Sequence, residues 1–454
     1  MTMGKGVFAG LHRRLGDFWW YSVLIFLACR VSDALNAFIG LWLVPKYVSP
    51  SDLGAVMPLT HFANFLAIPV AVFAATFRNE LTRLAIGRDF GRLKSLMRGV
   101  FIAALCLLLL ALVVSRLLLP HYLERLRVGY GSLGFCVIFA SFAGSVCPIY
   151  VNAIQAMKKF RGYTVISVLG APVRMVAMLV AMPFRALSGY FVGQAATPVF
   201  SMGAAVLCLR RELSVPAVPY WTRPVVRRFA TLFALFALGS IAGALVNLVE
   251  MTVLRQRLPE ADSAGFYMAT RFSDIAGFLY NTLAFTIFPY AAEQSAKGRD
   301  LRPLVLKTAL AVVVFSALVA VAFAAISGRM LLLLPHGGTY AAYAWAVPCM
   351  IGVGAVNSVV SLYTTAEISA NRFGYLRWLV PVNAAYSAAM MFVTGYGYFL
   401  VWLPSSAAAF LERHNIRSLE DIIWWFAAGA AVRLAFCAAG MVAGGRKARG
   451  VSAG

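Results

Sequence analysis

Two Arg-x-x-Asp sequences lie inside apolar stretches of the chain, at Arg30–Asp33 and Arg271–Asp274. At this i, i+3 spacing the two side chains share one face of a helix. A charge near the middle of a bilayer costs at least ~2.5 kcal/mol, so these residues face protein or water rather than lipid. Guanidinium groups bind phosphate through paired hydrogen bonds, which indicates a site for an anionic ligand. Alternatively, each acid only neutralises its arginine and locks the helix into a bundle.

Further polar side chains lie at depth in apolar stretches. Arg174 has no acid near it in sequence, and pairing with Asp33 or Asp274 remains open. Glu250 is near the end of its stretch, which favours a solvated cap over a coupling-ion site, and Arg433 is expected to be structural or lipid-facing. The candidate substrate-binding residues are Arg30, Asp33, Arg174, Arg271, Asp274, His61, Asn247 and Glu250.

The balance of these buried charges favours an anionic cargo. Four arginines stand against three acids, whereas a proton or drug antiporter would more naturally show unpaired buried acids. No catalytic residues, cofactor motif or metal ligands are indicated. The seven cysteines form no CxxC pair, so neither a zinc site nor a disulfide framework is predicted.

The composition is that of an all-α, polytopic membrane protein. Of the 454 residues 61% are hydrophobic and 13% charged, with a mean hydropathy of +0.80. The net charge of +23 is spread over short loops between apolar runs, which argues for topology signals and against nucleic-acid binding. Twelve spans are predicted, at 18–44, 52–77, 99–119, 131–156, 162–184, 188–209, 229–254, 263–291, 304–327, 341–367, 376–402 and 422–443.

The basic residues predict the orientation of these spans. Of the 40 Lys and Arg residues, 26 fall in loops on one side of the predicted membrane, ten on the other and four within spans. By the positive-inside rule, the richer side is cytoplasmic and so are both termini.

The spans divide into two halves that repeat. The proline-rich loop 210–228 is predicted to be a cytoplasmic linker between lobes 1–209 and 229–454. At a constant offset of 211 residues, Gly54 matches Gly265, Met57 matches Met268, and Gly87-Arg88-Asp89 matches Gly298-Arg299-Asp300. Both halves start on the same side, so a parallel repeat about an axis along the membrane normal is expected.

Some repeated pieces have a predicted local role. Gly54 and Gly265 follow short outer turns, where a small residue permits close backbone approach. The Gly-Arg-Asp loops are expected to be solvated structural loops that cap helices or meet lipid phosphates, rather than substrate contacts. Ser418-x-x-Asp421 resembles a capping box and suggests a small interfacial helix in the loop 405–421.

Three segments resemble one family of transporters. KYVSPSDLG at 46–54 looks like the turn between the first two helices of Wzx-type polysaccharide flippases, and AIGRDFGRL at 85–93 looks like the segment after their second helix. ADSAGFYMA at 261–269 is similar to the segment that opens their second half. These flippases belong to the MOP superfamily, together with MATE antiporters and peptidoglycan-precursor flippases.

The resemblance implies two six-helix lobes around a central cavity, and alternating access. It also implies a cargo, an oligosaccharide linked to undecaprenyl pyrophosphate or another lipopolysaccharide or polysaccharide precursor, with arginines on the first helix meeting the pyrophosphate. The chain is then a monomeric, non-enzymatic flippase of the bacterial inner membrane. Membrane lipids, a coupling cation or proton, and a polysaccharide polymerase and glycosyltransferases are its expected partners.

Two other functions remain open from the sequence. One is a cation-coupled, MATE-like antiporter of small molecules on the same fold. The other is a membrane-embedded polymerase or glycosyltransferase, although the longest outer loop is too short to hold an independent active site.

Overall fold

In the computed structural model, residues 30–129, 133–157, 159–277, 300–369, 372–393 and 416–451 are described, and within them the regular secondary structure is entirely helical. The main helices are α1 (30–47, with a π-helical turn at Ile39–Leu43), α2 (Val56–Ile86), α3 (Phe90–Arg125), α4 (Leu133–Ala156), α5 (Phe160–Ala181), α6 (Ala186–Cys208), α7 (Arg223–Arg257), α8 (260–277), α9 (Arg302–Leu332), α10 (Ala346–Ser369), α11 (Leu376–Val393) and α12 (Leu419–Val451).

Nine helices in the described residues are long and apolar enough to cross a membrane. They correspond to nine of the twelve predicted spans, with bounds that differ by several residues. The other three predicted spans, 18–44, 263–291 and 376–402, lie partly outside the described residues, and their described parts are helical. The prediction of an all-α, multi-pass membrane protein is therefore confirmed.

Capping chemistry explains the first Gly-Arg-Asp loop. Arg88 has a φ of 54°, and its N–H donates to Ala85 O over 3.2 Å while the Asp89 N–H donates to Leu84 O over 3.0 Å. These two bonds form a Schellman motif that ends α2. The Asp89 carboxylate then accepts the Arg92 N–H over 3.2 Å and caps α3. The loop is structural, as the sequence predicts.

At two other helix starts, side chains also accept backbone N–H groups. The Asp300 carboxylate accepts the Arg302 N–H over 3.1 Å at the start of α9, while Gly298 and Arg299 lie outside the described residues. Ser418 and Asp421 form the reciprocal bonds of a capping box, over 2.9 and 3.2 Å. This box begins the long helix α12; the rest of the predicted interfacial helix, from 405 to 415, lies outside the described residues.

The chain separates into two compact units. Unit 1 comprises 1–39, 66–121 and 129–236, and unit 2 comprises 40–65, 122–128 and 237–454. Each unit therefore takes segments from both sides of the loop 210–228. The lobes 1–209 and 229–454, and their internal symmetry, stay predictions.

In unit 1, the central loop is packed along the start of α3. The Val218 N–H donates to Gly91 O over 3.1 Å, and Lys94 Nζ donates to Val215 O over 3.0 Å. A Cβ on Gly99 would lie 2.3 Å from Nε1 of Trp221, so only glycine leaves room for this indole. The segment between α6 and α7 is thus held in place over at least two turns of α3.

An ion pair fixes the start of the same loop. Lys159 Nζ lies 2.7 Å from the Glu212 carboxylate and also donates to Cys208 O over 2.7 Å. Burial raises the pKa of Glu212, but the hydrogen bond and charge of Lys159, with Arg211, outweigh it and leave the pKa below its ordinary value. The lysine therefore joins the α4–α5 connection to the end of α6.

In unit 2, segments that are far apart in sequence meet near the predicted outer turns. The Tyr122 hydroxyl lies 2.9 Å from Thr252 Oγ1, and Nε of the buried Arg255 donates to Leu126 O over 3.1 Å. A Cβ on Gly54 would lie 2.5 Å from Ser263 Cβ, and one on Gly265 would lie 2.3 Å from the Tyr343 ring. Both glycines allow the close approach that the sequence predicts.

We expect Gly54→Ala to destabilise unit 2, because its methyl group overlaps Ser263 Cβ and approaches the Ser263 backbone to 3.1 Å. Overpacking of this kind costs about 1–3 kcal/mol. Thermal unfolding of the purified protein in detergent should show a lower Tm. Gly203→Ala is the control, since nothing lies within 4 Å of its Cβ position. Equal Tm values for the two variants would contradict the close packing at Gly54.

Candidate functional site

The first Arg-x-x-Asp pair lies on α1, in unit 1. Arg30 Nη2 is 2.9 Å from Asp33 Oδ2, and the two side chains are 29% and 24% exposed. The helical i, i+3 spacing brings them together without help from another element. The guanidinium is thus neutralised within its own helix and still reaches the surface of its unit, so both the ion-pair and the ligand-binding interpretations stand.

Arg174 lies on α5, also in unit 1. Its Nη1 donates to Gln194 Oε1 over 3.1 Å, and Gln194 Nε2 donates in turn to the Tyr190 hydroxyl over 2.8 Å. The sequence did not indicate Gln194, which lies 20 residues further on α6. The amide orients one edge of the guanidinium without cancelling its charge.

The helix α1 contacts α5 at a point before Arg174 in the sequence of α5. The Ser32 hydroxyl donates to Ser167 O over 3.5 Å. Arg174 lies seven residues after Ser167 on α5, which is about 10 Å along the helix. Arg30 is only two residues from Ser32. Arg30 and Arg174 therefore lie at different levels along these two helices.

The second Arg-x-x-Asp pair lies on α8, in unit 2. It is also contacted by Tyr267 and Gly40. Arg271 Nη1 is 2.8 Å from Asp274 Oδ2, and the Arg271 side chain is 28% exposed. Its guanidinium carbon lies 5.0 Å from the centre of the Tyr267 ring, a cation–π contact. A Cβ on Gly40 would come within 3.0 Å of Arg271 Cδ, so this glycine of the π-helical turn makes room for the side chain.

His61 joins this group from α2. It is partly buried, and it lies close enough to Arg271 to interact with its charge. Tyr267 links Arg271 to α1, because its ring contacts the guanidinium and its hydroxyl donates to Gly40 O over 3.4 Å. Unit 2 therefore brings together three of the predicted residues, His61, Arg271 and Asp274. The sequence analysis did not single out Gly40 or Tyr267. The contacts of Gly40 cross more than 200 residues of sequence, whereas the i, i+4 spacing of Tyr267 and Arg271 is a local signal for their contact.

Glu250 is not the solvated cap that the sequence favours. It is 6% exposed on α7, and Arg433 Nη2 of α12 lies 3.7 Å from its Oε1. Tyr386 of α11 interacts with both, since Arg433 sits 5.6 Å from its ring centre and its hydroxyl is close to the carboxylate. Arg433 is 11% exposed, so it is structural rather than lipid-facing. Helix packing outweighs the position of Glu250 near its helix end.

Gly429 of α12 contacts both Arg433 and Tyr386 of this buried group. Arg433 Nε donates to Gly429 O over 3.1 Å, and a Cβ on Gly429 would lie 2.4 Å from the Tyr386 ring. Tyr386 in turn donates its hydroxyl to Trp425 O over 3.2 Å. Asn247, one turn before Glu250 on α7, is exposed.

The candidate residues thus form separate groups. Unit 1 holds Arg30 with Asp33, and Arg174; unit 2 holds Arg271 with Asp274 and His61, and Glu250 with Arg433. Their convergence on one central cavity stays a prediction. Within the described ranges, no group of three His, Cys, Asp or Glu side chains is placed to hold a metal ion.

Comparison with known proteins finds solved structures of similar fold but no similar sequence. No family profile and no curated protein sequence matches this chain. Among solved structures, an inward-facing multidrug resistance MATE family transporter of the MOP superfamily matches with a TM-score of 0.60 at 12% identity, over 93% of this chain and 98% of that chain. The lipid II flippase MurJ in an inward closed conformation matches with a TM-score of 0.61 at 11% identity, over 91% of this chain and 86% of that chain.

A third match extends over nearly the whole chain. A MATE protein in the straight conformation gives a TM-score of 0.61 at 13% identity, over 98% of this chain and 99% of that chain. At such low identity the likeness is one of fold. The chain has the fold of the MOP superfamily transporters.

Proposed function

We propose that this protein is a flippase that moves a lipid-linked oligosaccharide, of the undecaprenyl-pyrophosphate type or a related polysaccharide precursor, across the membrane by alternating access. The cargo's sugar-pyrophosphate head must cross about 30 Å of hydrocarbon while its lipid tail stays in the bilayer. One protein with this fold is a lipid II flippase, and others are multidrug resistance transporters. The fold therefore does not distinguish between these two kinds of cargo, and the proposal depends on the charged residues.

The observation that carries the proposal is the pair of partly exposed arginines, each ion-paired with an acid on its own helix. Arg30 and Arg271 lie 2.9 and 2.8 Å from Asp33 and Asp274, with 29% and 28% of their side chains exposed. A guanidinium has five N–H donors, and one carboxylate uses only part of them. The planar fork of these donors matches a phosphate, which needs hydrogen bonds to replace those of water.

Arg174 fits the same chemistry. One of its hydrogen-bond partners, Gln194, is neutral, and this contact orients the guanidinium. Asn247 and His61 would add polar contacts for a hydrated sugar head. Cationic groups of this kind suit a pyrophosphate better than a cationic drug.

A second candidate, a cation-coupled antiporter, is favoured by Glu250. A buried carboxylate whose arginine is 3.7 Å away makes only a loose ion pair. Such a group is able to exchange its arginine for a proton or a cation during transport. We rank this function second, because the arginines outnumber the acids at depth.

The proposed location is the bacterial inner membrane, with both termini in the cytoplasm. In a cysteine-free background, a cysteine at Ser51 should react with a membrane-impermeant maleimide in intact cells. A cysteine at Ser214, which is exposed in the central loop, should react only after the cells are opened. Reaction at Ser214 from outside would reverse the proposed topology.

The binding role of Arg30 is tested by a mutant cycle with Asp33. Arg30→Lys keeps the charge but loses the planar fork, so export of the polysaccharide in a complementation assay should fall in part. Arg30→Ala should abolish export and also lower the protein level, because an unpaired Asp33 costs on the order of 2.5 kcal/mol in the membrane.

The double variant Arg30→Ala/Asp33→Ala separates the two roles of the arginine. It removes the unpaired charge, so the protein level should return to that of the wild type. Export should stay lost if Arg30 binds the cargo. Full export by the double variant would reject the binding role and leave only the ion pair.

The antiporter candidate is tested at Glu250. If this carboxylate exchanges a proton or cation, Glu250→Gln should abolish gradient-driven transport in proteoliposomes, and so should Glu250→Leu/Arg433→Leu. If the flippase needs only a packed core here, the double variant should transport normally, because replacing a buried ion pair by apolar residues is often neutral. Transport by the double variant at the wild-type rate would eliminate Glu250 as a coupling site.

A further inference from the structure

A groove in unit 1 has no role in the function proposed above. It has a volume of about 290 Å³ and lies between residues 73–77 of α2 and the first turns of α7, beneath Trp221. It is roughly twice the 150 Å³ of an engineered apolar cavity that holds benzene. Its lining is Phe73, Thr76, Phe77, Trp221, Val226, Phe229, Ala230 and Phe233.

The groove is apolar from floor to mouth. The floor is formed by Phe77 and Phe229, which are buried with ring centres 4.3 Å apart. The one hydroxyl, of Thr76, donates to Val72 O over 2.8 Å and so presents its methyl side. Val226 and Ala230 at the mouth are exposed. An opening of this kind, at the side of a membrane protein, accepts a hydrocarbon chain.

The position of the groove matches the boundary between hydrocarbon and head groups. The apolar window of α2 ends at Ala74 and that of α7 begins at Val225, so the lining lies at the ends of two spans. Trp221 lies at the same level, where the amphipathic indole ring is favoured. Its ring meets Phe77 edge-on at 5.4 Å, and its Nε1 donates to Ser95 O over 3.4 Å.

Two exposed arginines lie beside the mouth. Arg223 and Arg227 precede Val226 and Ala230 by three residues each on α7, so all four share one face of the helix. They lie in its first two turns, where the helix dipole also favours an anion. We propose that this groove binds one acyl chain of an anionic phospholipid, whose phosphate lies at Arg223 and Arg227.

The charge pattern selects an anionic lipid over a zwitterionic one. The segment from 213 to 249 contains Arg223, Arg227 and Arg228 and no acid. Basic pockets between spans at the cytoplasmic side commonly hold anionic head groups. The lipid would fasten the central loop to α7, since the ring of Trp221 forms both the roof of the groove and the contact with Gly99.

Trp221 provides the test. The full-length protein in detergent micelles is titrated with phosphatidylglycerol that carries brominated acyl chains, and tryptophan fluorescence is recorded. The protein has nine tryptophans, so the contribution of Trp221 is the difference from Trp221→Phe. Saturable quenching of that component is expected, at a lower lipid concentration than with phosphatidylcholine of the same chains. Equal quenching by both lipids would overturn the anionic site.

Two variants test the two parts of the site. Arg223→Gln/Arg227→Gln should raise the phosphatidylglycerol concentration at half-quenching about 25-fold, at roughly fivefold per arginine. Arg210→Gln/Arg211→Gln, which neutralises two exposed arginines at the start of the central loop, is the matched control and should change this concentration little.

Ala230→Phe fills the mouth of the groove and should remove the quenching of Trp221. Ala234→Phe adds the same ring at an exposed position one turn further, outside the lining, and should keep it. Circular dichroism checks that each variant is folded. Unchanged quenching in folded Ala230→Phe would show that the lipid does not enter the groove and would overturn the proposal.

Discussion

The cost of a charge in hydrocarbon governs how this protein arranges the charged residues of its apolar stretches. An arginine at membrane depth needs a partner, and a partner one helical turn away is present before any helices pack. Arg30–Asp33 and Arg271–Asp274 use this local solution, at 2.9 and 2.8 Å. The helices α1 and α8 therefore enter the bundle with their charges already neutralised, and the later packing needs only to decide how much of each guanidinium stays exposed.

Buried charges that lack a local partner require the tertiary fold. Glu250 meets Arg433 across three helices, with Tyr386 between them and Gly429 leaving room for the tyrosine ring. This arrangement exists only after α7, α11 and α12 have packed. A loose pair of this kind depends on conformation, whereas the i, i+3 pairs survive any rigid movement of their helix.

The sequence predicts what is encoded locally. Nine spans follow from apolar length, and the Gly-Arg-Asp and Ser418-x-x-Asp421 signals correspond to real caps because capping involves residues three to five apart. The sequence also predicts the tight approach at Gly54. It does not predict Gln194 beside Arg174, or the packing of Trp221 on Gly99, since these partners are chosen by helix packing. The central loop resembled a linker in composition, but it is bound to α3.

Glycine determines how near the charged groups come to other helices. At three glycines, a Cβ would lie within 3.0 Å of a side chain from another segment. These close contacts are Gly40 with Arg271, Gly54 with Ser263, and Gly99 with Trp221. In a bilayer, helices gain little from burying apolar surface against one another, so contact distance decides the strength of packing. At Gly40 this packing also acts on the chemistry. The glycine sets the space available to Arg271, and Asp274 sets the direction of its fork. A helix contact and an ion pair thus jointly determine the position and direction of this guanidinium.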